Sequence, residues 1–390
     1  MKCVLAGYGS RGDVEPLAAV GRELMRRGHE VQMAVAPNMV SFVESAGLRA
    51  VAYGRDTREQ MDFAAAFVGK ISNPVTMWAD IAQHVNEIKA EKSTALTSLA
   101  EGADLLVAAF NEQGLAANIA EYYGIPLGVL HYFPARILAG GTFGPQITKD
   151  TDDAQRAALG LSDVAGDLAQ PTIEIQAYDE VYLPGTAAEW LDSDVSALFV
   201  GALTLGLPAD SDDEVLSWIA DGTPPIYFGF GSTPLASPME TVAVISEACA
   251  RVGERALVCT GPNDVAGLPN VEHVKVVPAV NHAVVFPRCR AVVHHGGAGA
   301  TAAGLRAGLP TLILWFWLDQ PVWAEGVTQL KVGSGRAFME STLDSVVADL
   351  QGILTPERAA RAREVSELIS TADESLARAV DLLEGAARPT

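Results

Sequence analysis

Basic residues are scarce in this chain. Lys and Arg number 27 against 48 Asp and Glu, a net charge of -21, and the acidic excess runs through both halves. An evenly acidic surface repels phosphate backbones and anionic lipid at long range, so nucleic-acid binding driven by overall charge is excluded and only a local anion pocket remains open. Long apolar runs are also lacking. The strongest, LPTLILWFWL from Leu309 to Leu318, is about half of the roughly 20 residues that a transmembrane helix needs. No integral membrane segment is therefore expected, and peripheral contact with a membrane is left open. The four cysteines, Cys3, Cys249, Cys259 and Cys289, fit the spacing of neither a zinc site nor a redox pair, so they read as buried thiols and no metal site is expected. Met1-Lys2 passes directly into CVLAGYG, with glycines where a signal peptide would carry its apolar centre, and this stretch is expected to be the first strand of a cytoplasmic protein.

What the chain does have is apolar content: 49% hydrophobic against 19% charged residues, over 390 positions. At roughly 150 residues per domain this predicts two domains, each with its own core. Short apolar runs alternate with helical patterns in both halves. In the first half, strands are expected at 2–8, 30–35, 104–110 and 126–132, with helices near 14–27, 38–46, 75–100 and 112–123. In the second, strands are expected at 225–231, 255–260, 271–277, 290–295 and 310–316, with helices near 238–252, 301–307 and 320–330. Repeated strand-helix order implies parallel sheets covered on both faces. A Gly-, Pro- and Asp-rich stretch at 206–222 reads as a linker, in which Asp212, Asp213 and Glu214 open a solvated helix. The domains are expected at 1–205 and 223–365, and the tail reads as helix from Glu357 to Ala387, its last part (366–390) packing back on the first domain.

Three loops carry polar chemistry. Gly7-Tyr8-Gly9-Ser10-Arg11-Gly12 is a G-x-G-x-x-G string between a strand and a helix, the arrangement that brings backbone amides to a dinucleotide. The second strand, however, ends Val35-Ala36-Pro37-Asn38 without the carboxylate that would bind a ribose diol. Asp13 follows the last glycine at a helix N-terminus, where the macrodipole favours its ionised form, so it can accept a proton; the alternative is that it only caps the helix. In the second half, a strand ending His294-His295 runs into Gly296-Gly297-Ala298-Gly299-Ala300-Thr301 and a helix, a close-approach anion site that suits a diphosphate. His295 is placed towards the phosphate and His294 on the opposite side of the strand. Asp319-Gln320-Pro321 after the next strand suits sugar hydroxyls, with helix capping as the alternative, and Ser232 stands at the end of the half's first strand.

GSRGDVEP (9–16), FGFGS (228–232), HHGGAGAT (294–301) and DQP (319–321) occur in this order. With these motifs the chain resembles, over essentially its whole length, the inverting family 1 nucleotide-sugar-dependent glycosyltransferases, in particular the bacterial antibiotic and glycolipid enzymes and the sterol glucosyltransferases. The resemblance implies the GT-B fold: two doubly wound, Rossmann-like α/β domains facing across a cleft, the first binding the acceptor and the second the donor. It implies Asp13 as general base, Ser232, His295, Gly297, Gly299, Ala300 and Thr301 at the donor diphosphate, and Asp319 and Gln320 at the donor sugar. Ser10, Arg11 and Gly12 are candidate phosphate or loop contacts, and Arg11 serves equally well as half of a surface ion pair.

The expected reaction moves a hexose or 6-deoxyhexose from a UDP- or dTDP-sugar, with inversion, to a hydroxyl of a hydrophobic natural-product or glycolipid acceptor. The nucleotide sugar is a co-substrate, and no cofactor or metal is required. Leu318, where relatives often carry glycine, sits among Trp315, Phe316, Trp317 and Trp323, an apolar group that suits a 6-deoxy sugar such as rhamnose or serves as packing. Phe63, Phe67, Trp78, His131, Tyr132, Phe133 and Phe143 suggest an apolar acceptor pocket or part of the core. Closure about the linker would bring the two half-sites together and exclude water. Competing functions are a sugar-nucleotide epimerase or hydrolase of the same fold, a non-catalytic transferase partner and, weakened by the missing ribose carboxylate, a nicotinamide oxidoreductase.

Overall fold

The structure, a computed structural model, describes residues 1–59, 74–134, 145–162, 170–183, 198–266 and 271–388, with 74–82 and 145–150 as backbone alone. The chain forms two compact units. The first comprises Met1–Ala177, Ala197–Leu205 and Ala372–Thr390, and the second Tyr178–Ser196 and Gly206–Thr371.

The first unit is built on β1 (Lys2–Gly7), α1 (Arg11–Arg26), β2 (Glu30–Val35), α2 (Val40–Ser45), β3 (Arg49–Ala52), α3 (Pro74–Ala100), β4 (Leu105–Ala109), α4 (Gln113–Tyr123), β5 (Leu127–His131), α5 (Pro145–Leu159), β6 (Ile173–Gln176) and β7 (Leu198–Phe199). Among the described residues its strands form one parallel sheet in the order β3-β2-β1-β4-β5-β6-β7. Strand order reverses at β1, which pairs with both β2 and β4. In open α/β sheets such a switch point opens a crevice at the carboxyl ends of the strands, and there the loop after β1 carries Asp13. Val4, Ala6, Leu106, Ala108 and Val129 point to a core shared with α3 and α4.

The second unit contains α6 (Asp212–Ala220), β8 (Ile226–Gly229), α7 (Pro238–Val252), β9 (Ala256–Cys259), β10 (Val274–Val277), α8 (His282–Val285), β11 (Ala291–His294), α9 (Ala298–Arg306), β12 (Thr311–Trp315), α10 (Gln320–Gln329), β13 (Gly333–Ala337), α11 (Leu343–Ile353) and α12 (Pro356–Ser366). Its parallel sheet runs β10-β9-β8-β11-β12-β13 among the described residues, with the switch at β8 and β11. Side chains alternate between two cores: Ile226, Phe228, Val293 and Leu312 face one, Tyr227, Leu257, Cys259 and Val292 the other. Two-sided burial explains why these strands read as continuous apolar runs. All four cysteines are free and buried; burial pushes the thiols up, Cys3 to about 11 and Cys249, Cys259 and Cys289 to about 12.

The strands β3, β6 and β7 add to the four expected in the first half, and three further features differ from the sequence reading. The 206–222 stretch lies within the second unit rather than outside both domains. It is anchored by Asp212, which opens α6 and accepts hydrogen bonds from the amides of Ala209 and Asn281, each at 2.8 Å. The tail is two helices, α12 and a final α13 (Ala372–Ala386), because the intervening Ser370 donates its amide to Asp179 Oδ1 and its carbonyl accepts from Arg306 Nε, both at 2.8 Å. The helix α13 belongs to the first unit and packs along α1, where Arg27 pairs with Asp381 at 2.6 Å and with Glu384 at 3.2 Å. Finally, β13 escapes the pattern because its sequence is GSGRA. Its glycines are steric necessities: a Cβ on Gly333 would fall on the Thr311 carbonyl oxygen, and one on Gly335 on the Ala324 methyl. Among the described residues no helix is long and apolar enough to cross a membrane.

A rigid backbone oxygen cannot yield as a side chain does. Gly333→Ala is therefore expected to destabilise the second unit by about 1–3 kcal/mol, read as an earlier urea midpoint.

Candidate functional site

In the first unit the loop after β1 turns on Gly9, whose φ of 143° favours glycine. A Cβ there would collide with the Asp13 carboxylate, so the glycine makes room for the acid. Asp13 occupies the third position of α1, where Oδ2 accepts the Ser10 amide at 2.6 Å and the Ser10 hydroxyl at 2.9 Å. Its other oxygen accepts the Tyr132 hydroxyl at 2.9 Å. Asp13 thus closes a capping box and also holds a hydrogen bond reaching across from the end of β5. Burial is the largest influence on its acidity and raises the pKa, partly offset by Tyr132 and Ser10. Burial and the helix terminus thus act in opposite directions on this carboxyl. A raised pKa makes the carboxylate a stronger proton acceptor.

The loop is gripped by groups that the sequence pattern did not single out. Tyr8 donates its hydroxyl to the Arg55 carbonyl at 2.7 Å, its own carbonyl accepts Asn111 Nδ2, and Lys92 Nζ lies 4.2 Å from its ring centre. Lys92 in turn pairs with buried Glu112 at 2.5 Å, which also accepts the Tyr53 hydroxyl. The Asn38 amide, at the place where a dinucleotide fold would put its ribose carboxylate, donates to Thr57 at 2.9 Å. The available signal was position: Asn111 and Glu112 follow β4, the strand beside the switch point. Arg11 is placed as a surface pair, its Nε 2.7 Å from Glu15. Of the acceptor candidates, Phe63, Phe67 and Phe143 and the Trp78 side chain lie outside the described residues. His131 and Tyr132 are buried, and the Phe133 ring packs edge-on against Phe110 at 5.3 Å.

In the second unit, glycines press three loops together around His295. A Cβ on Gly231 would stand 2.6 Å from the His295 ring and one on Gly297 2.7 Å from it, while a Cβ on Gly296 would come within 3.1 Å of Gln320 Cβ. Burial lowers the His295 pKa to about 4, so at neutral pH the ring is uncharged and carries one N–H donor. His294 is fully buried and its Nδ1 accepts the Gly296 amide at 3.0 Å, a bond that shapes the turn.

Gly297 caps α9. By helix geometry the amides of Ala298, Gly299 and Ala300 have no acceptor within the helix, and a Cβ on Gly299 would meet nothing within 4 Å. No protein contact requires a glycine at 299; the space beside it is open. Thr301 is corrected from the expected set of phosphate donors: as the fourth helical residue it gives both its amide and its hydroxyl to the Gly297 carbonyl, each at 3.0 Å, and it is buried. Ser232 is exposed at the end of β8. Beside it Asn263 Nδ2 ties the Thr233 carbonyl at 3.1 Å to that of Thr260 at 2.9 Å.

Asp319 caps α10, its Oδ2 accepting the indole N–H of Trp323 at 2.6 Å. Gln320 is buried, and its Oε1 accepts the amides of Phe316 at 2.8 Å and Trp317 at 3.3 Å. Its side-chain oxygen therefore holds the strand exit, and its Nε2 is what it can offer a ligand. The aromatic group divides: Trp323 is core, Phe316 stacks on Phe338 at 4.4 Å, and Trp317 and Leu318 are exposed by 45% and 72%. Leu318 has a φ of 55°. That left-handed backbone is where glycine is at ease and a leucine is strained.

The N-terminal domain model of glycosyltransferase family 28 matches residues 3–139, and that of the erythromycin biosynthesis protein CIII-like C-terminal domain matches 239–379. An uncharacterized glycosyltransferase of Mycobacterium leprae is 52% identical over 98% of this chain and 96% of its own length. The vancomycin aglycone glucosyltransferase of Amycolatopsis orientalis is 30% identical over 95% of this chain and 94% of its own. Among solved structures, the glycosyltransferase VinC in complex with dTDP superposes with a TM-score of 0.70 at 18% identity, covering 99% of this chain and all of that one.

His295 is held neutral in the folded state, whereas the unfolded chain protonates it near the ordinary 6.5. The folded state thus binds fewer protons between about pH 4 and 6.5, and stability falls on acidification through that window, by at most about 1.4 kcal/mol per pH unit for one group. His295→Asn should flatten this part of the stability-against-pH curve measured by denaturant unfolding. Leu318→Gly should relieve the left-handed strain and raise stability by up to about 1 kcal/mol, seen as a higher melting temperature.

Proposed function

Because the chain belongs to the glycosyltransferases of the GT-B fold, we propose that it transfers a hexose or 6-deoxyhexose, with inversion, from a dTDP- or UDP-sugar to a hydroxyl of a hydrophobic natural-product or glycolipid acceptor. The observation that carries this reading is the pair of complementary devices at the two switch points. One is a buried carboxylate with raised proton affinity. The other is an open helix terminus beside a neutral imidazole. The dTDP in the VinC complex and the glycosylated aglycone named for the Amycolatopsis relative support the donor and acceptor classes.

On this reading Asp13 takes the proton of the acceptor hydroxyl, and the freed oxygen attacks the anomeric carbon of the sugar. The bond from that carbon to the diphosphate oxygen breaks, and its electron pair leaves with the nucleoside diphosphate. The amides of Ala298, Gly299 and Ala300, with the His295 N–H, meet the charge that develops on the leaving group. The uncharged ring suits this task, since it can donate to phosphate without carrying a competing counterion. Tyr132 and Ser10 keep the Asp13 carboxylate oriented. Asp319 and the Gln320 Nε2 contact donor-sugar hydroxyls. The exposed faces of Trp317 and Leu318 are apolar surface suited to the methyl of a 6-deoxy sugar.

Thermal stabilisation by dTDP, UDP and NADH separates this reading from its competitors. A ligand that binds only the folded state at 100 times its dissociation constant adds about 2.7 kcal/mol. Stabilisation by dTDP or UDP, lost in His295→Ala, is expected; stabilisation by NADH alone would overturn the assignment. With the stabilising donor in hand, Asp13→Asn should leave donor affinity within about twofold and lower turnover by about 10²- to 10⁴-fold. Full turnover in that variant would remove Asp13 as the base.

A further inference from the structure

Trp323 is 1% exposed, and its indole N–H reaches Asp319 Oδ2 at 2.6 Å. The ring is held edge-on by Tyr178, with centres 5.6 Å apart and planes at 74°, and by Tyr182, at 5.9 Å and 85°. These tyrosines lie on a stretch of the second unit that is itself fixed. Gly326, three residues beyond Trp323, has no room for a Cβ against the Tyr182 carbonyl oxygen. Asp179, between the tyrosines, accepts the Ser370 amide at 2.8 Å. The indole therefore has its plane set by two rings and its polar edge pointed at the residue that caps α10.

We propose that Trp323 is a positioning residue for the donor sugar: its N–H fixes the Asp319 carboxylate in one rotamer. An indole nitrogen donates and never accepts, so Asp319 Oδ2 is the acceptor and the rings that hold the indole hold that oxygen with it. A carboxylate oriented in advance contacts sugar hydroxyls without first losing side-chain freedom. The inference rests on the assignment of Asp319 to the donor sugar and adds what sets that residue's geometry.

Trp323→Phe keeps a ring between the two tyrosines and removes the N–H. Calorimetric affinities are measured for dTDP and UDP and for their glucose and rhamnose esters, in wild type, Trp323→Phe, Asp319→Asn and the double variant. The expected result is unchanged affinity for dTDP and UDP and an approximately tenfold loss of the extra affinity that the sugar confers. The double variant should lose little beyond Asp319→Asn alone. Equal weakening of nucleotide and nucleotide sugar, or no change in either, would overturn the positioning role. Failure of the wild type to bind any of these nucleotides would instead overturn the transferase reading. If Trp323→Phe does not fold, the indole N–H resonances decide: the one displaced in Asp319→Asn should move when a nucleotide sugar is added and stay still with the free nucleotide. No such resonance would count against the proposal.

Discussion

Two-sided burial of the parallel sheets is the constraint on which the rest depends. A strand covered by helices on both faces has no solvent face on which to place chemistry, so polar groups collect where strands end. In both units they collect beside the strand at which the order reverses. Asp13 follows β1, with Asn111 and Glu112 after its neighbour β4; Ser232 follows β8, with His295 and the α9 terminus after its neighbour β11. The same topology gathers polar groups twice with different side chains, a buried carboxylate in one unit and a helix terminus beside an imidazole in the other.

Space at those strand ends is made by glycine, and each relevant glycine answers to a particular neighbour. Gly9 yields to the Asp13 carboxylate, Gly231 and Gly297 to the His295 ring, and Gly296 to Gln320 and Ile313. Gly299 differs, because among the described residues nothing beyond its own helix and chain neighbours comes within 4 Å of the position of its missing side chain. The distinction between a glycine that makes room for the protein and one that leaves room for something else cannot be drawn from a run such as GGAGA. It needs the positions of the neighbours.

This marks the division between what was legible in the sequence and what was not. Apolar runs and helix punctuation located most of the two sheets and placed Asp13, His295 and Asp319 at strand exits, because local periodicity and turn chemistry are written into neighbouring residues. The strand β13 was illegible since GSGRA is tolerated only through its fit against Thr311 and Ala324, distant in sequence. The Tyr132 bond to Asp13 spans 119 positions, and the break between α12 and α13 depends on Asp179, 191 positions from Ser370. Trp323 was readable as an apolar residue near the sugar motif, yet its hydrogen bond follows from its place one helical turn beyond Asp319 on a buried face. In each case the missing information was a partner rather than a residue type.

The two central ionisable groups are both shifted by burial, and in directions that suit opposite tasks. Desolvation disfavours charge, so it raises the Asp13 pKa and lowers that of His295. One consequence is a carboxylate with greater appetite for a proton. The other is an imidazole that is uncharged at neutral pH and carries one N–H donor, the form that the proposed transfer asks of it. Hydrogen bonding works against burial in both: three bonds to the Asp13 carboxylate oppose the rise of its pKa, and a bond to the Gly229 backbone opposes the fall of that of His295.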